Sequence, residues 1–121
     1  MEITTIKEND IEIAVINSKD ILITDVQSAL DVMATIYYEV GCDRVILNES
    51  AICKDFFNLR TGIAGEILQK FVSYKMKIAI VGDFSAYSSK SLKDFIYESN
   101  KGNDILFVSN VKQAMEKLSI G

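Results

Sequence analysis

Three short apolar runs constrain the fold of this chain more than any other feature, because each is about as long as one β-strand. They are Val45-Ile46-Leu47, Lys77–Val81 and Ile105–Val108, and each is followed by a polar or glycine residue. Continuous apolar runs of this length are typical of strands buried on both faces, as in a parallel sheet covered by helices. We therefore predict that all three are strands of one mainly parallel sheet.

Amphipathic helices are predicted before, between and after these runs. The first helix begins at Thr24, which forms a capping-box pattern with Gln27, and ends at Gly41, where a left-handed residue is favoured. The predicted inward faces, in chain order, are Val26, Leu30, Met33 and Tyr37; Ile63, Ile67, Leu68, Phe71 and Val72; Leu92, Phe95 and Ile96; and Val111, Ala114, Met115 and Leu118.

The first 24 residues have the pattern of β-strands. Residues 11–15 alternate between large apolar and smaller or charged side chains, and residues 8–10 supply a turn that joins them to a partner strand at 3–7. A second turn at 17–20 leads into a further short strand at 21–23.

This order of elements predicts an α/β fold in a single domain spanning residues 1–121. It consists of an N-terminal β-hairpin followed by alternating helices and strands. Strands and helices that alternate at this spacing form right-handed crossovers, so we expect a mixed, mainly parallel sheet covered by helices.

The composition excludes several functional classes. The chain has 13 Lys and Arg against 17 Asp and Glu, a formal net charge of −4, whereas proteins that bind the nucleic-acid backbone need a basic face. Without histidine it lacks Ser-His and Cys-His nucleophile pairs and histidine metal sites. Cys42 and Cys53 stand alone and are expected to be reduced packing residues. We expect no metal, no cofactor and no nucleic-acid partner.

The sequence also gives no sign of targeting to a membrane or a secretory pathway. Residues 1–10 are polar and acidic, unlike a signal peptide. The longest apolar runs are far below the roughly 18 residues of a membrane helix. We expect a cytoplasmic protein that does not contact a membrane.

Polar residues follow the predicted strands where ligands collect in open α/β sheets. They include Glu49 after the first apolar run and Asp83 and Ser85 after the second. By position, Glu49 and Asp83 could form a carboxylate pair for acid–base chemistry, although acids at strand ends are commonly caps.

A second candidate site lies where the helix of residues 63–72 is predicted to open, at Arg60-Thr61-Gly62. Backbone N–H groups, a hydroxyl and a guanidinium could together hold an anion there. Alternatively, Thr61 or Asn58 only caps the helix, and Gly62 with Gly65 lets it pack closely on the sheet. Because aspartate also caps helices, Thr61→Asp is then expected to be nearly neutral for stability.

Two further clusters have simpler interpretations. Ser85, Tyr87 and Lys90 match neither an SxxK nor a YxxxK pattern, so we interpret this segment as a solvated loop leading into a helix. Phe56 and Phe57 could form an exposed contact pair, but a plug over the core is the preferred interpretation.

Residues 23–31, 55–71 and 80–85 resemble an uncharacterised bacterial family that is known only as a domain of unknown function. This resemblance covers nearly the whole chain, and it implies no activity.

The element order is also similar to that of STAS domains, the fold of the anti-sigma factor antagonists. In that family a Ser or Thr directly before a Gly is the phosphorylated switch residue, and Thr61-Gly62 occupies the matching place here. Leu59-Arg60 stands where the family pattern has an Asp and a second hydroxyl residue. The resemblance therefore supports a STAS-like fold more than a phosphorylation switch.

Two functional hypotheses follow. The first is a non-enzymatic, STAS-like regulatory module that binds a protein partner through residues 58–62 and the loop 83–85. The second is a small-ligand or anion-binding domain, or a weak enzyme, that uses Arg60 and Thr61 with Glu49 and Asp83. A homodimer is compatible with either hypothesis.

Overall fold

In the computed structural model, which describes residues 1–120, a five-stranded mixed sheet is the central layer. One antiparallel hairpin and three parallel pairings build the sheet, as predicted. The strands are β1 (Thr4–Glu8), β2 (Ile11–Ile16), β3 (Arg44–Asn48), β4 (Lys77–Val81) and β5 (Ile105–Val108), and the helices are α1 (Val26–Val40), α2 (Ile63–Ser73), α3 (Lys90–Lys101) and α4 (Val111–Leu118).

The strands lie in the sheet in the same order as in the chain, from β1 to β5. Each parallel connection therefore moves one strand further in the same direction. Because such connections have the same, right-handed sense, their helices are placed on one face of the sheet. The buried residues of α1, α2 and α3 accordingly share one core with Ala14, Val45, Leu47, Ile78 and Ile80.

The opposite face of the sheet is covered by α4. Its buried residues Ala114 and Leu118 form a second, smaller core with the strand residues that point the other way, among them Ile46, Ala79 and Leu106. Each of the three predicted apolar strands thus contributes alternate side chains to two cores. This burial on both faces explains why the runs are continuous rather than alternating.

The N-terminus of α1 differs from the prediction by one residue. Asp25, not Thr24, is the N-cap, and its carboxylate accepts a hydrogen bond from the backbone N–H of Ser28 at 2.8 Å. The Ser28 hydroxyl completes the capping box, which we had assigned to Gln27, with the N–H of Asp25. At the other end Gly41 adopts φ 66°, as the sequence predicted.

Four further predictions need correction. Residues 21–23 are not a strand of the sheet, since only Ile23 forms an isolated bridge, to Ile52. Tyr37, Val72 and Val111, predicted to face inward, are 41%, 43% and 40% exposed. Each lies at the margin of an apolar stripe whose centre is buried.

Phe71 lies at the centre of the α2 stripe and is 1% exposed. Because Phe71→Ala removes a large side chain from a close-packed core, we expect it to lower the free energy of unfolding by about 3–5 kcal/mol. Val72→Ala is the matched control, and its cost should stay below about 1 kcal/mol because Val72 is partly solvated. Urea denaturation of both variants measures the difference, and equal losses would contradict this orientation of α2.

Candidate functional site

The carboxyl ends of β4 and β5 are the place where neighbouring connections diverge. After β4 the chain runs to α3 on one face of the sheet, and after β5 it runs to α4 on the other face. In open α/β sheets such a divergence opens a crevice in which ligands bind. A groove of about 550 Å³ lies here, and Asp83, Ser85, Ser109 and Gln113 are among its lining residues.

Glu49 follows β3 and is held in a half-buried position above the neighbouring strand end. One of its carboxylate oxygens, Oε2, accepts a hydrogen bond from the hydroxyl of Tyr87. The other, Oε1, lies against Gly82, where any Cβ atom would collide with the Glu49 side chain. A glycine at position 82 is therefore required by the close approach of Glu49.

The two carboxylates of the predicted acid–base pair lie at the same edge of the sheet but bond to different groups. Asp83 Oδ1 accepts hydrogen bonds from the hydroxyl and the backbone N–H of Ser85, at 2.5 and 3.1 Å. These bonds lower the pKa of Asp83 below its ordinary value. A general acid needs the opposite shift, so the geometry favours a turn-forming role for Asp83.

Asn48 has a structural role at the same edge. Its side-chain amide accepts a hydrogen bond from the N–H of Ser18 at 2.8 Å and donates to the carbonyl of Ser18 at 2.7 Å. The amide therefore fixes the loop that follows β2. Both hydrogen-bonding functions of this polar residue are used within the protein.

Thr61 is the side chain that stabilises the start of α2. The N-cap of α2 is Gly62, and not Thr61 as we predicted, but Thr61 Oγ1 accepts a hydrogen bond from the N–H of Ile63 at 3.2 Å. The same hydroxyl lies 2.8 Å from the carbonyl oxygens of Asp55 and Asn58, and it can donate its one proton to either of them. Thr61 thus ties the helix start to the preceding turns.

The residues near Thr61 have different roles from those that the sequence predicted. Asn58 caps the short turn at Leu59–Thr61, where its Oδ1 accepts from Arg60 N, and not α2 itself. Gly62 has φ 75°, which explains the glycine. No atom outside its own helix turn lies within 4 Å of a Cβ built at Gly65, so close packing on the sheet does not explain that residue.

The backbone N–H groups proposed as an anion cradle bond within the chain. Thr61 N donates to the Asn58 carbonyl at 3.0 Å, and Gly62 N donates to the Leu59 carbonyl at 3.2 Å. The N–H of Ile63 donates to the Thr61 hydroxyl. Residues 61–63 therefore offer an incoming anion no free N–H group, while the side chain of Arg60 is exposed.

Aromatic rings connect the candidate residues along this edge. The ring centroid of Phe57 lies 5.3 Å from that of Tyr87, and the Tyr87 and Phe84 centroids are 6.4 Å apart. Phe56 and Phe57 are 1% and 6% exposed, which confirms that they plug the core. Phe84 and Tyr87 are half-buried and Ile21 is exposed. We call Phe57, Phe84, Tyr87 and Ile21 the aromatic edge.

Two shallow depressions flank Phe57 within the aromatic edge. One, of about 500 Å³, lies between Asn58, Arg60 and the start of α3. The other, of about 280 Å³, lies between Ile21, Glu49 and Tyr87. The structure thus places Asn58 and Arg60 on one side of the rings, Glu49 on another, and Asp83 and Ser85 in the groove beyond Phe84.

Tyr87 is the residue that sequence reasoning missed. We placed it in a solvated loop, but its hydroxyl bonds to Glu49, which is 38 positions away in the chain. Ser89, in the same segment, caps α3 by accepting a hydrogen bond from Leu92 N at 3.2 Å, as expected for a loop that leads into a helix.

In the part of the chain that the structure describes, His, Cys, Asp and Glu side chains form no group of three or more that could hold a metal ion. Within residues 1–120, none of the helices has the length and apolar character that crossing a membrane requires.

Comparison with known proteins gives one match. A family model described as a domain of unknown function (DUF4180) matches residues 8–118, most of the chain. Among curated proteins nothing matches, and no solved structure matches either.

Variants of Thr61 test its hydrogen bonds. Thr61→Ala should lower the free energy of unfolding by about 0.5–2 kcal/mol, as for a lost helix cap. The structure reverses the expectation for Thr61→Asp, because a carboxylate cannot donate to the carbonyls of Asp55 and Asn58 and places charge beside them. Aspartate should therefore destabilise at least as much as alanine, while Thr61→Ser should be close to wild type in urea denaturation. An aspartate variant as stable as the serine variant would contradict this prediction.

Tyr87 should make the free energy of unfolding depend on pH in the alkaline range. Burial and the Glu49 carboxylate raise the pKa of Tyr87 above its ordinary value of about 10. The native state then holds this proton more tightly than the unfolded state, so the Tyr87 contribution is present below pH ~10 and is lost as the pH rises further. Urea denaturation at a series of pH values should show a shrinking stability difference between wild type and Tyr87→Phe. The matched control is Tyr38→Phe, which removes the hydroxyl of a tyrosine that is 94% exposed.

Proposed function

The chain belongs to the DUF4180 family, and we propose that it is a non-enzymatic regulatory module that binds a protein partner through its aromatic edge. Protein interfaces are typically built from aromatic side chains in shallow surfaces, surrounded by a polar rim. The aromatic edge has this composition, with Ile21 55% exposed beside the half-buried rings of Phe84 and Tyr87 and the exposed Arg60 at the rim.

The observation that carries the proposal is that the polar groups of this edge are already bonded within the protein. The Thr61 hydroxyl donates to either of two carbonyls, the Glu49 carboxylate accepts from Tyr87, and Asp83 accepts from Ser85. A nucleophile needs a base that takes its proton, and a general acid needs a raised pKa. Thr61 and Asp83 have neither property, which supports binding rather than catalysis.

The resemblance of the element order to STAS domains supports the same proposal. It implies a STAS-like fold in which Thr61 and Gly62 lie where that family has its switch residue. A regulatory role for this chain would then act at the Asn58–Gly62 segment, next to the aromatic edge. The net charge of −4 is consistent with a protein partner rather than a nucleic acid.

Small-ligand binding is the second candidate function, and one observation favours it. The groove of about 550 Å³ between β4 and β5 lies where ligands bind in open α/β sheets. The Arg60-Thr61-Gly62 segment supports this function less well, because the N–H groups of Thr61 and Gly62 bond to backbone carbonyls. A ligand would therefore use Asp83 and Ser85 more readily than the start of α2.

A charge reversal at the rim tests partner binding. Arg60→Glu should leave the far-UV circular dichroism unchanged, because the side chain is exposed. It should weaken a complex at the aromatic edge about tenfold or more, equivalent to ~1.4 kcal/mol. The matched control is Lys112→Glu, which makes the same charge change at an exposed position of α4, on the other face of the sheet.

The assay is a quantitative pull-down from lysate of the native cells, followed by titration of the recovered partner against each variant. A partner that binds wild type and Lys112→Glu equally but loses affinity for Arg60→Glu supports the proposal. A partner that binds all three equally contradicts it. A thermal-shift screen tests the second candidate, because a ligand at 100 times its Kd adds about 2.7 kcal/mol of stability.

A further inference from the structure

The two edge strands of the sheet, β1 and β5, differ in whether a side chain covers their outward backbone groups. An edge strand exposes unpaired backbone N–H and C=O groups, and proteins usually block such edges or use them for pairing. Proline, one common blocking residue, is absent from the sequence. Other side chains must therefore decide which edge is available.

The side chain of Asn100 blocks part of the β5 edge. Ile105 and Phe107 are the residues of β5 whose backbone groups point outward, since Asp104 and Val108 bond to β4. The amide of Asn100 accepts a hydrogen bond from Phe107 N at 2.7 Å and donates to Phe107 O at 3.0 Å. It thus occupies the donor and the acceptor that Phe107 would offer to a further strand.

Within residues 1–120, no side chain forms hydrogen bonds with the outward backbone groups of β1 in this way. The hairpin turns at Asn9 and Asp10, which have φ 51° and 65°, a geometry typical of a two-residue type I′ loop. In such a hairpin the backbone groups of Glu8 form hydrogen bonds with those of Ile11. In an antiparallel pair the same holds for every second residue of β1, so Ile6 and Thr4 also bond to β2. The backbone groups of Thr5 and Lys7 therefore point outward, and both residues are exposed.

From these edges we propose that a second copy of this chain pairs with β1 in antiparallel orientation about a two-fold axis at Ile6. Across the two-fold axis, a residue whose backbone N–H and C=O point outward must lie opposite another such residue of the second copy. Only a few registers of the two β1 strands meet this condition. An axis at Ile6 pairs Thr5 with Lys7 and Thr4 with Glu8, so no like charges lie opposite one another within β1. An axis at Lys7 would oppose two lysines, which destabilises a sheet, and an axis at Thr5 would place Ile6 opposite Thr4 and not opposite a second Ile6.

The same register brings together two apolar side chains. Ile6 is half-buried and pairs with Ile13, which belongs to the core on the α4 side of the sheet. An axis at Ile6 places the two Ile6 side chains opposite one another, in the more closely spaced type of antiparallel pair. Because Asn100 occupies the outward groups of Phe107 in the four-residue strand β5, further pairing at that edge is disfavoured and the assembly ends as a dimer. This inference is independent of the proposed function.

Analytical ultracentrifugation tests the dimer. The wild type should sediment at twice the monomer mass at concentrations up to the millimolar range. Thr5→Pro removes an outward N–H and should give a folded monomer, whereas Thr5→Val keeps the N–H and should remain a dimer. A monomeric wild type, or a Thr5→Pro variant that is folded and still dimeric, would overturn the proposal.

Cross-linking tests the register without requiring the proline variant to fold. Across the axis the Cα atoms of the two Ile6 residues would be about 4.5 Å apart, within the range of about 4.4–6.8 Å for a disulfide. Ile6→Cys should therefore form a disulfide-linked dimer under mild oxidation. Thr4→Cys is the matched control, because its two copies would be about 13 Å apart. The wild type controls for Cys42 and Cys53, which are free. Equal cross-linking of the two variants, or none in Ile6→Cys, would rule out this register.

Discussion

Four parallel strands that follow one another in chain order are the constraint on which the rest of this structure depends. Because every crossover has the same hand, α1, α2 and α3 are all placed on one face, and the other face would remain exposed. The short α4 covers it, with Ala114 and Leu118 fully buried. The guanidinium of Arg44, at the start of β3, donates to the carbonyl oxygen of Leu118, so the end of α4 is fixed to the sheet that it covers.

The same arrangement determines where a binding groove can form. Connections after β3 and β4 lead to the same face, and their loops pack against each other through the aromatic edge. Only after β5 does the chain turn to the other face, which opens the groove beside Asp83. The sequence predicted the strands and helices from their periodicity, but it could not show on which face α4 packs. The groove therefore lay outside what periodicity can predict.

Errors in the sequence prediction arose where one residue or a long-range contact decides the outcome. Asp25 and Ser28 form the capping box that the sequence pattern assigned to Thr24 and Gln27, one position earlier. Val72 follows the helical spacing of α2 but lies at the margin of its apolar stripe. The bond between Tyr87 and Glu49 joins residues that are distant in the chain, so neither local sequence contains a signal for it. Thr61 was predicted to cap α2, whereas the N-cap is Gly62, and the role of Thr61 as a donor depends on the carbonyls of Asp55 and Asn58.

The aromatic edge and the β1 edge lie on different sides of the molecule, and their directions are related. The strands β2–β5 run parallel to one another and antiparallel to β1. In a dimer paired antiparallel through β1, the parallel strands of one copy run opposite to those of the other. Their carboxyl ends, and with them the two aromatic edges, then point to opposite ends of one continuous sheet. If the proposed partner binds at the aromatic edge, the proposed dimer would hold two partners at opposite ends of one sheet, and neither surface would cover the other.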